Sequence, residues 1–244
     1  MKAVIMAGGK GTRLSEAKGK LNKHCLPVYN KPMIVHVVET LVAGGAKQIL
    51  VLLNWLYPQT ILELLQDGKK FGEDVDIYYR YVDETDGPGR QLYLAENWVG
   101  RGNFVLMLGD SLYIRRKGAP PVLDFTRSIA PHIWTMPLAG LDDPTKYGQV
   151  TTHGDKVLEL RDKPAFKFSD VIQTATWLLP PDVFDRARRL GESIAGEVHI
   201  GRIIEEYVAE GRVTHTRLPP LSYIDLGTPE SLLRGANLLA EAEK

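Results

Sequence analysis

An apolar run over residues 3–7 ends abruptly in Gly8-Gly9-Lys10-Gly11, and few folds accommodate that pairing. The run is too short for a helix, and its β-branched content suits a buried strand. The glycines behind it allow positive φ and bring main-chain N–H groups within reach of a ligand that a Cβ would hold off. A strand feeding such a turn describes a phosphate cradle. Lys10, Arg13, Lys18, Lys20 and Lys23 crowd the same stretch, although the whole chain balances 30 basic against 30 acidic residues. Local positive charge on a neutral chain points to a local anion.

The alternation continues downstream. Asn30 is expected to cap a helix with Pro32 in its first turn, because Ile34, Val37, Val38, Leu41 and Val42 recur at helical spacing and Gly44-Gly45 stop the pattern. Residues 48–53 read as a second buried strand, Pro58 starts a helix carrying Ile61, Leu64 and Leu65, and residues 76–82 read as a third strand. This β-α-β-α-β order predicts a doubly wound parallel sheet. Past a loop over 83–89 come a helix over 90–98 and an apolar strand over 103–108 that ends in Gly109-Asp110-Ser111. Ligands of open parallel sheets sit beyond strand carboxyl ends, where Asp110 falls. A helix around 122–128 and a strand over 132–138 extend the unit.

From Leu141 the grain changes. Residues 147–152, 156–160 and 171–179 read as shorter strands joined by turns such as His153-Gly154-Asp155, which predicts an antiparallel insertion. Helices over 182–190 and 198–210, a strand over 214–218 and a short strand over 222–225 follow. Thr228 then caps and Pro229 opens a last helix, on which Leu232, Leu233, Ala236, Leu239 and Ala240 share one face.

Composition sets bounds. With 44% hydrophobic and 25% charged residues the chain is ordinary for a soluble globular protein with a sizeable core. A single cysteine, Cys25, excludes an internal disulfide and points to a reducing, cytoplasmic compartment. The apolar run after Met1-Lys2 is too short for a secretory leader, and no apolar stretch of about 18 residues exists to cross a membrane. The neutral balance argues against nucleic-acid binding.

Two familiar phosphate motifs do not fit. The dinucleotide fingerprint needs a glycine where Leu14 stands, and the P-loop needs Ser or Thr where Leu21 follows Gly19-Lys20. Gly8-Gly9-Lys10-Gly11-Thr12-Arg13-Leu14, followed after a spacer by the run from Lys23 through Leu26-Pro27 to Lys31-Pro32-Met33-Ile34, resembles the sugar-1-phosphate nucleotidylyltransferases. Among them the likeness is nearest to the glucose-1-phosphate thymidylyltransferases, and it extends in pieces to the C-terminus.

The resemblance implies a fold and a reaction. The fold is α/β, a Rossmann-like doubly wound mixed sheet, mostly parallel, with the antiparallel insertion as a lid over the sugar. It implies one domain over 1–244, in which 1–140 is mainly the nucleotide-binding half and 141–244 mainly the sugar-binding half with the last helix. The reaction joins a nucleoside triphosphate, dTTP or UTP, to a sugar 1-phosphate, glucose 1-phosphate or a related hexose, with Mg²⁺ as cofactor and no nucleic-acid or membrane partner. Homo-oligomers are compatible with it. Positioning and charge neutralisation dominate such chemistry, so cations and metal-binding carboxylates are the expected inventory.

By resemblance, Arg13 holds the β- and γ-phosphates and Lys23 neutralises the bridge between α- and β-phosphates. Asp110, and Asp225 in Tyr223-Ile224-Asp225-Leu226-Gly227-Thr228, are the metal carboxylates, as suits a hard cation. The remaining nucleotide contacts fall on Ala7, Gly8, Gly9, Gly11, Thr12, Gly87 and Gly109, with Asp83 or Glu84 accepting the base's imino N–H. Lys163 binds the sugar's phosphate, Asp162 its hydroxyls, and Tyr147, Gly148, Thr174 and Glu197 complete the sugar site. Departures from the family pattern gather where specificity is set. Glu16 replaces a usual Pro, the loop over 83–91 departs from the base-reading pattern, Ala175 replaces a Gly, and Gly201-Arg202 replaces Thr-Asp.

Three readings compete with this one. A noncatalytic homologue that binds nucleotide sugar is disfavoured by retention of Arg13, Lys23, Asp110, Lys163 and Asp225 together. A nucleotide-sugar-consuming glycosyltransferase would carry Asp-x-Asp, which Asp110-Ser111-Leu112 is not. The third is a nucleotidyltransferase for another base (GTP, CTP or ATP) or an unusual sugar phosphate. His24 and Cys25 read as packing residues, since no acid completes a nucleophilic triad.

Overall fold

The opening run has no helical spacing to exploit and becomes β1 (Lys2–Ala7), buried along almost its whole length. The computed structural model describes residues 1–14, 19–82, 87–125, 133–139, 144–193 and 198–244. After β1 come two short strands, β2 (Pro27–Val28) and β3 (Lys31–Pro32), then helix α1 (Met33–Ala43). β4 (Gln48–Leu53), α2 (Gln59–Leu65) and β5 (Asp76–Tyr81) follow. Two short helices, α3 (Gly87–Gln91) and α4 (Glu96–Val99), precede β6 (Phe104–Leu108) and β7 (Ser111–Tyr113). Then β8 (Ile133–Ala139), β9 (Gln149–His153), β10 (Lys156–Arg161) and β11 (Val171–Leu179) lead to α5 (Val183–Ser193) and α6 (Ile200–Ala209). β12 (Val213–His215), β13 (Tyr223–Asp225) and α7 (Pro229–Ala242) complete the chain.

These elements divide into two units interleaved in sequence. One comprises Met1–Glu84, Met107–Arg127 and Leu221–Lys244; the other comprises Thr85–Leu106 and Ser128–Pro220. In the first unit, β1, β4 and β5 pair in parallel, in the β-α-β-α-β order read from the sequence, with Ala7, Leu53 and Tyr81 in one row across the three strands. Ile34, Val37, Val38 and Leu41 are buried on α1, the face their spacing predicted. A two-stranded antiparallel ribbon sets Asp225 of β13 opposite Ser111 of β7. Behind it, Val28, Met33, Leu112, Ile114 and Leu226 form a core cluster on which Leu232, Ala236 and Leu239 of α7 pack. Gly235 permits that approach, because a Cβ there would lie 2.8 Å from Leu226 Cδ2.

In the second unit β8 is antiparallel to β11 and parallel to β12, while β10 is antiparallel to both β12 and β9. The antiparallel pairing expected after residue 141 is present, and the fold is α/β with mixed strand pairing. α5 and α6 are joined through Arg186, whose guanidinium meets both Glu210 oxygens at 2.7 Å and lies 4.0 Å from the Tyr207 ring centroid.

Three local expectations are corrected. Asn30 does not cap α1; Lys31 and Pro32 are held in β3 against β2, so Pro32 is the N-cap and the helix begins at Met33. Asn30 donates to Glu243 instead. The helix expected over 90–98 starts at Gly87 and is split by a 3-10 turn over Leu92–Ala95, with Gly89 N–H donating to the Val198 carbonyl at 2.8 Å. Residues 122–125 are not helical, because Phe125 N–H bonds back to the Gly44 carbonyl behind α1. Residues 126–128, Lys18, Asp83, Glu84 and Glu197 lie outside the described residues. No described helix is long and apolar enough to cross a membrane.

Candidate active site

At the carboxyl end of β1 the glycine turn is held from one side. Asn54, 1% exposed, donates through Nδ2 to the carbonyls of Gly8 (2.9 Å) and Gly9 (3.3 Å). Gly11 is required twice over: its φ is +63°, and a Cβ would stand 2.9 Å from the Cβ and Cδ of Lys23. The Lys23 stem therefore lies across the turn. Lys23 opens a 3-10 turn capped by Asn22, whose Oδ1 accepts from His24 N–H at 3.0 Å. Arg13 sits in a second 3-10 turn, Thr12–Leu14, anchored by buried Leu14 while Thr12 and Arg13 face solvent.

Lys23 Nζ donates to Asp110 Oδ2 at 2.5 Å, and both side chains are largely buried. Burial pushes the Asp110 carboxyl up, but the ammonium beside it prevails and holds it at about 2, so the carboxylate is ionised. Gly109 donates to the Met6 carbonyl at 2.9 Å and leaves no room for a Cβ, because His24 packs on it. His24 is 1% exposed and burial lowers its pKa to about 3, so the ring is neutral. Its Nδ1 lies 2.7 Å from Asn22 Oδ1, an acceptor, which places the proton on Nδ1.

The ribbon brings in the second carboxylate. Leu226 N–H donates to the Asp110 carbonyl at 2.9 Å, and Asp225 Oδ1 accepts from Gly227 N–H at 3.0 Å. A Cβ on Gly227 would fall 2.7 Å from Asp225 Oδ1 and 2.9 Å from Arg13 Nη2, so guanidinium and carboxylate flank the same glycine. Burial, and then the Asp110 charge, push the Asp225 carboxyl up to about 6. Ser111, opposite Asp225, has a fully buried hydroxyl without a hydrogen-bond partner among the described residues. Arg13, Lys23, Asp110 and Asp225 thus converge beside the glycine turn from four separate stretches of chain, all within the first unit.

In the second unit, Lys163 N–H donates to the Tyr147 carbonyl at 3.2 Å, and Lys163 itself takes a left-handed φ of 48°. A lysine held there carries backbone strain of the kind found at functional sites. Gly148 accepts from Gln173 N–H at 2.8 Å, and a Cβ on Gly148 would collide with the Gln173 carboxamide, which accepts from Trp177 Nε1. Asp162 N–H donates to Glu205 Oε1, and its carboxylate packs on Gly201 in the first turn of α6, where the helix dipole favours it. The departure at Gly201 thus makes room for Asp162. Thr174 is fully buried on β11, next to Gln173.

Asn54, Ser111 and Gln173 escaped the sequence reading. Asn54 had a faint signal, a polar residue directly after an apolar strand; the others needed their cross-strand neighbours. The Cys25 thiol is buried and pushed up to about 11, which suits packing rather than nucleophilic attack. A cavity of about 380 Å³ bounded by Asn30, Lys31, His36, Glu39, Tyr113 and Arg115 among others contains none of the site residues. Among the described residues no group of three or more His, Cys, Asp or Glu could hold a metal.

A family model described as nucleotidyl transferase matches residues 2–242. The glucose-1-phosphate thymidylyltransferase of Mycobacterium tuberculosis is 29% identical over 246 residues, covering 100% of this chain and 84% of its own. A crystal structure from Bacillus anthracis, assigned as a glucose-1-phosphate thymidylyltransferase and complexed with sucrose, superimposes with a TM-score of 0.87 at 29% identity, covering 98% of this chain and 95% of that one. A UDP-glucose pyrophosphorylase complexed with UDP-glucose shares the fold, with a TM-score of 0.84 at 19% identity over 98% of each chain.

Proposed function

The chain belongs to the nucleotidyl transferase family, and from that premise we propose that it joins dTTP or UTP to glucose 1-phosphate or a related hexose 1-phosphate. A phosphate oxygen of the sugar 1-phosphate attacks the α-phosphorus of the triphosphate. The bond from that phosphorus to the bridging oxygen of the β-phosphate breaks, and pyrophosphate leaves with the electron pair. The observation that carries the reading is the convergence of Arg13, Lys23, Asp110 and Asp225 beside the glycine turn. The thymidylyltransferase relatives favour dTTP; the likeness to a UDP-glucose pyrophosphorylase is one of fold.

The triphosphate tail rests against the amides of the glycine turn. Arg13, exposed and forked, takes the β- and γ-phosphates, where charge grows as pyrophosphate departs. Lys23 meets the α–β bridge, its stem braced on Gly11. Lys163 takes the phosphate of the sugar. Asp110 and Asp225 are the residues that would hold Mg²⁺, and two features fit it: two carboxylates close enough for one charge to raise the other's pKa, and a buried Ser111 hydroxyl without a hydrogen-bond partner among the described residues. When bound, the ion supplies neutralisation of the phosphate charge. Without it, Lys23 is the counterion of Asp110.

The test is pyrophosphate release, coupled to inorganic pyrophosphatase and read as phosphate, for each common nucleoside triphosphate against a panel of sugar 1-phosphates. Turnover with a thymidine or uridine triphosphate and a hexose 1-phosphate is expected. Asp110→Asn is expected to abolish it, in a variant that still folds but is less stable because Lys23 loses its buried counterion, as circular dichroism and a thermal melt would check. Absence of turnover with every pair, while nucleotide sugar still binds, would instead select the noncatalytic reading.

A further inference from the structure

The loop after β4, residues 54–58, exposes more aromatic surface than a turn needs, and nothing assigned above uses it. Trp55 is 69% exposed, yet its ring is not loose. It stacks flat on Tyr81, with ring centroids 3.8 Å apart and planes 3° from parallel. One indole face is therefore covered and ordered. The other is offered to solvent at the edge of the molecule where β1 delivers its glycine turn. The register makes that edge explicit: Ala7, just before the turn, pairs with Leu53, and Leu53 pairs with Tyr81. The glycine turn follows β1, Trp55 follows the adjacent β4 and Tyr81 ends β5, so the ring pair stands one to two strand spacings from the turn, roughly 5–10 Å.

Asn54 couples the two. Its Nδ2 donates to the Gly8 and Gly9 carbonyls, and its Oδ1 accepts from Leu56 N–H at 2.9 Å, so one buried side chain sets both the phosphate turn and the start of the aromatic loop. An indole held with one open face is the surface on which a nucleobase stacks, whatever base it is, since every base has a π-face. A phosphate tail at the glycine turn leaves a ribose and a base to be placed, and a separation of one to two strand spacings is of the length they span.

We propose that Trp55 is the stacking platform for the nucleobase of the triphosphate, with Tyr81 as the ring that holds the indole in place. This deepens the nucleotidyl-transfer reading and rests on it. The nucleotide is gripped at two points, by charge at the glycine turn and by a π-face at Trp55. Stacking is indifferent to base identity, so Trp55 supplies affinity common to all nucleotides and leaves base choice to hydrogen-bonding groups elsewhere.

The experiment compares the full-length wild type with Trp55→Leu and Trp55→Phe. Binding of dTTP, UTP and inorganic tripolyphosphate is measured by calorimetry, with tryptophan fluorescence recorded in parallel. Loss of one stacked base should weaken both nucleotides about tenfold or more in Trp55→Leu. Trp55→Phe should recover much of that loss, and tripolyphosphate, which has no base, should bind all three proteins alike. Quenching of indole emission by nucleotide should vanish in both variants. Wild-type affinity for dTTP and UTP in Trp55→Leu overturns the proposal. So does an equal loss of tripolyphosphate binding, which would make Trp55 a prop for the glycine turn. If the wild type binds neither nucleotide nor tripolyphosphate, the nucleotide reading of the site falls and the platform with it; nucleotide binding untouched by Trp55→Leu removes the platform alone.

Discussion

At the scale of single residues, the charged groups beside the glycine turn divide by what holds them. Lys23 and Asp110 are buried against one another, so removing either leaves an unpaired buried charge. Arg13 is exposed, and its loss should be felt in chemistry and not in folding. Arg13→Ala is expected to lower kcat about a hundredfold, a barrier increase of about 3 kcal/mol, with the melting temperature unchanged. Stopped or steady-state pyrophosphate assays beside a thermal melt check both halves. His24 makes the opposite case, a residue without a reacting role whose environment shows in stability. Folding lowers its pKa from 6.5 to about 3, so the native state favours the neutral ring. That stability is complete above pH 6.5 and is lost as pH falls toward 3, with a slope approaching 1.4 kcal/mol per pH unit, about the value for one proton. Asp225 works the other way, gaining a proton in the folded state as pH falls through about 6, so the difference between variant and wild type isolates the imidazole. Urea unfolding at pH 7.5 and 4.5 should show His24→Gln losing less stability between the two than the wild type.

At the scale of elements, the long strands and helices follow their periodicity, and the departures occur where a neighbour claims the backbone first. β1, β4 and β5 are apolar or alternating runs whose partners are dictated by the crossover helices. The strand pair β7 and β13 is different, because each strand is three residues long and neither has a pattern of its own. Their pairing exists because Leu112 and Leu226 must be covered by α7, and it is this pairing that delivers Asp225 to Asp110. The entry to α7 was legible: Thr228 accepts from Ser231 N–H at 3.2 Å, Ser231 Oγ accepts from Thr228 N–H at 3.0 Å, and Pro229 follows the cap. Thr228→Ala should cost about 1 kcal/mol, visible as a shift of a few degrees in the melting midpoint. Ser231→Ala should cost a similar amount, and the double variant less than the sum, since the two hydroxyls serve one box.

At the scale of the whole molecule, Arg13, Lys23, Asp110 and Asp225, proposed to act on the triphosphate, lie in the unit built from Met1–Glu84, Met107–Arg127 and Leu221–Lys244, while Tyr147, Gly148, Asp162, Lys163 and Thr174, expected at the sugar, lie in the other together with Gly87. Amide hydrogen exchange should separate the two ligands. Nucleoside triphosphate alone is expected to slow exchange at residues 8–14 and 109–111, and sugar 1-phosphate alone at 147–149 and 161–163. Protection of the second set by tripolyphosphate would contradict that division. The sequence by itself determined the β-α-β-α-β core, the glycine turn, the antiparallel character after residue 141 and the capped last helix, because strand alternation, helical spacing, left-handed glycines and caps are all local properties. Arg13, Lys23 and Asp110 could be singled out for the same reason, each standing in or directly beside a local motif. Only the tertiary structure decided that Asp225 meets Asp110 through a short ribbon, that Asn54 ties the glycine turn to Trp55, and that the ring of His24, already read as packing, is held neutral by burial. Those relations join residues tens to more than a hundred positions apart, and no local preference encodes a contact whose two sides are chosen by the burial of a shared core.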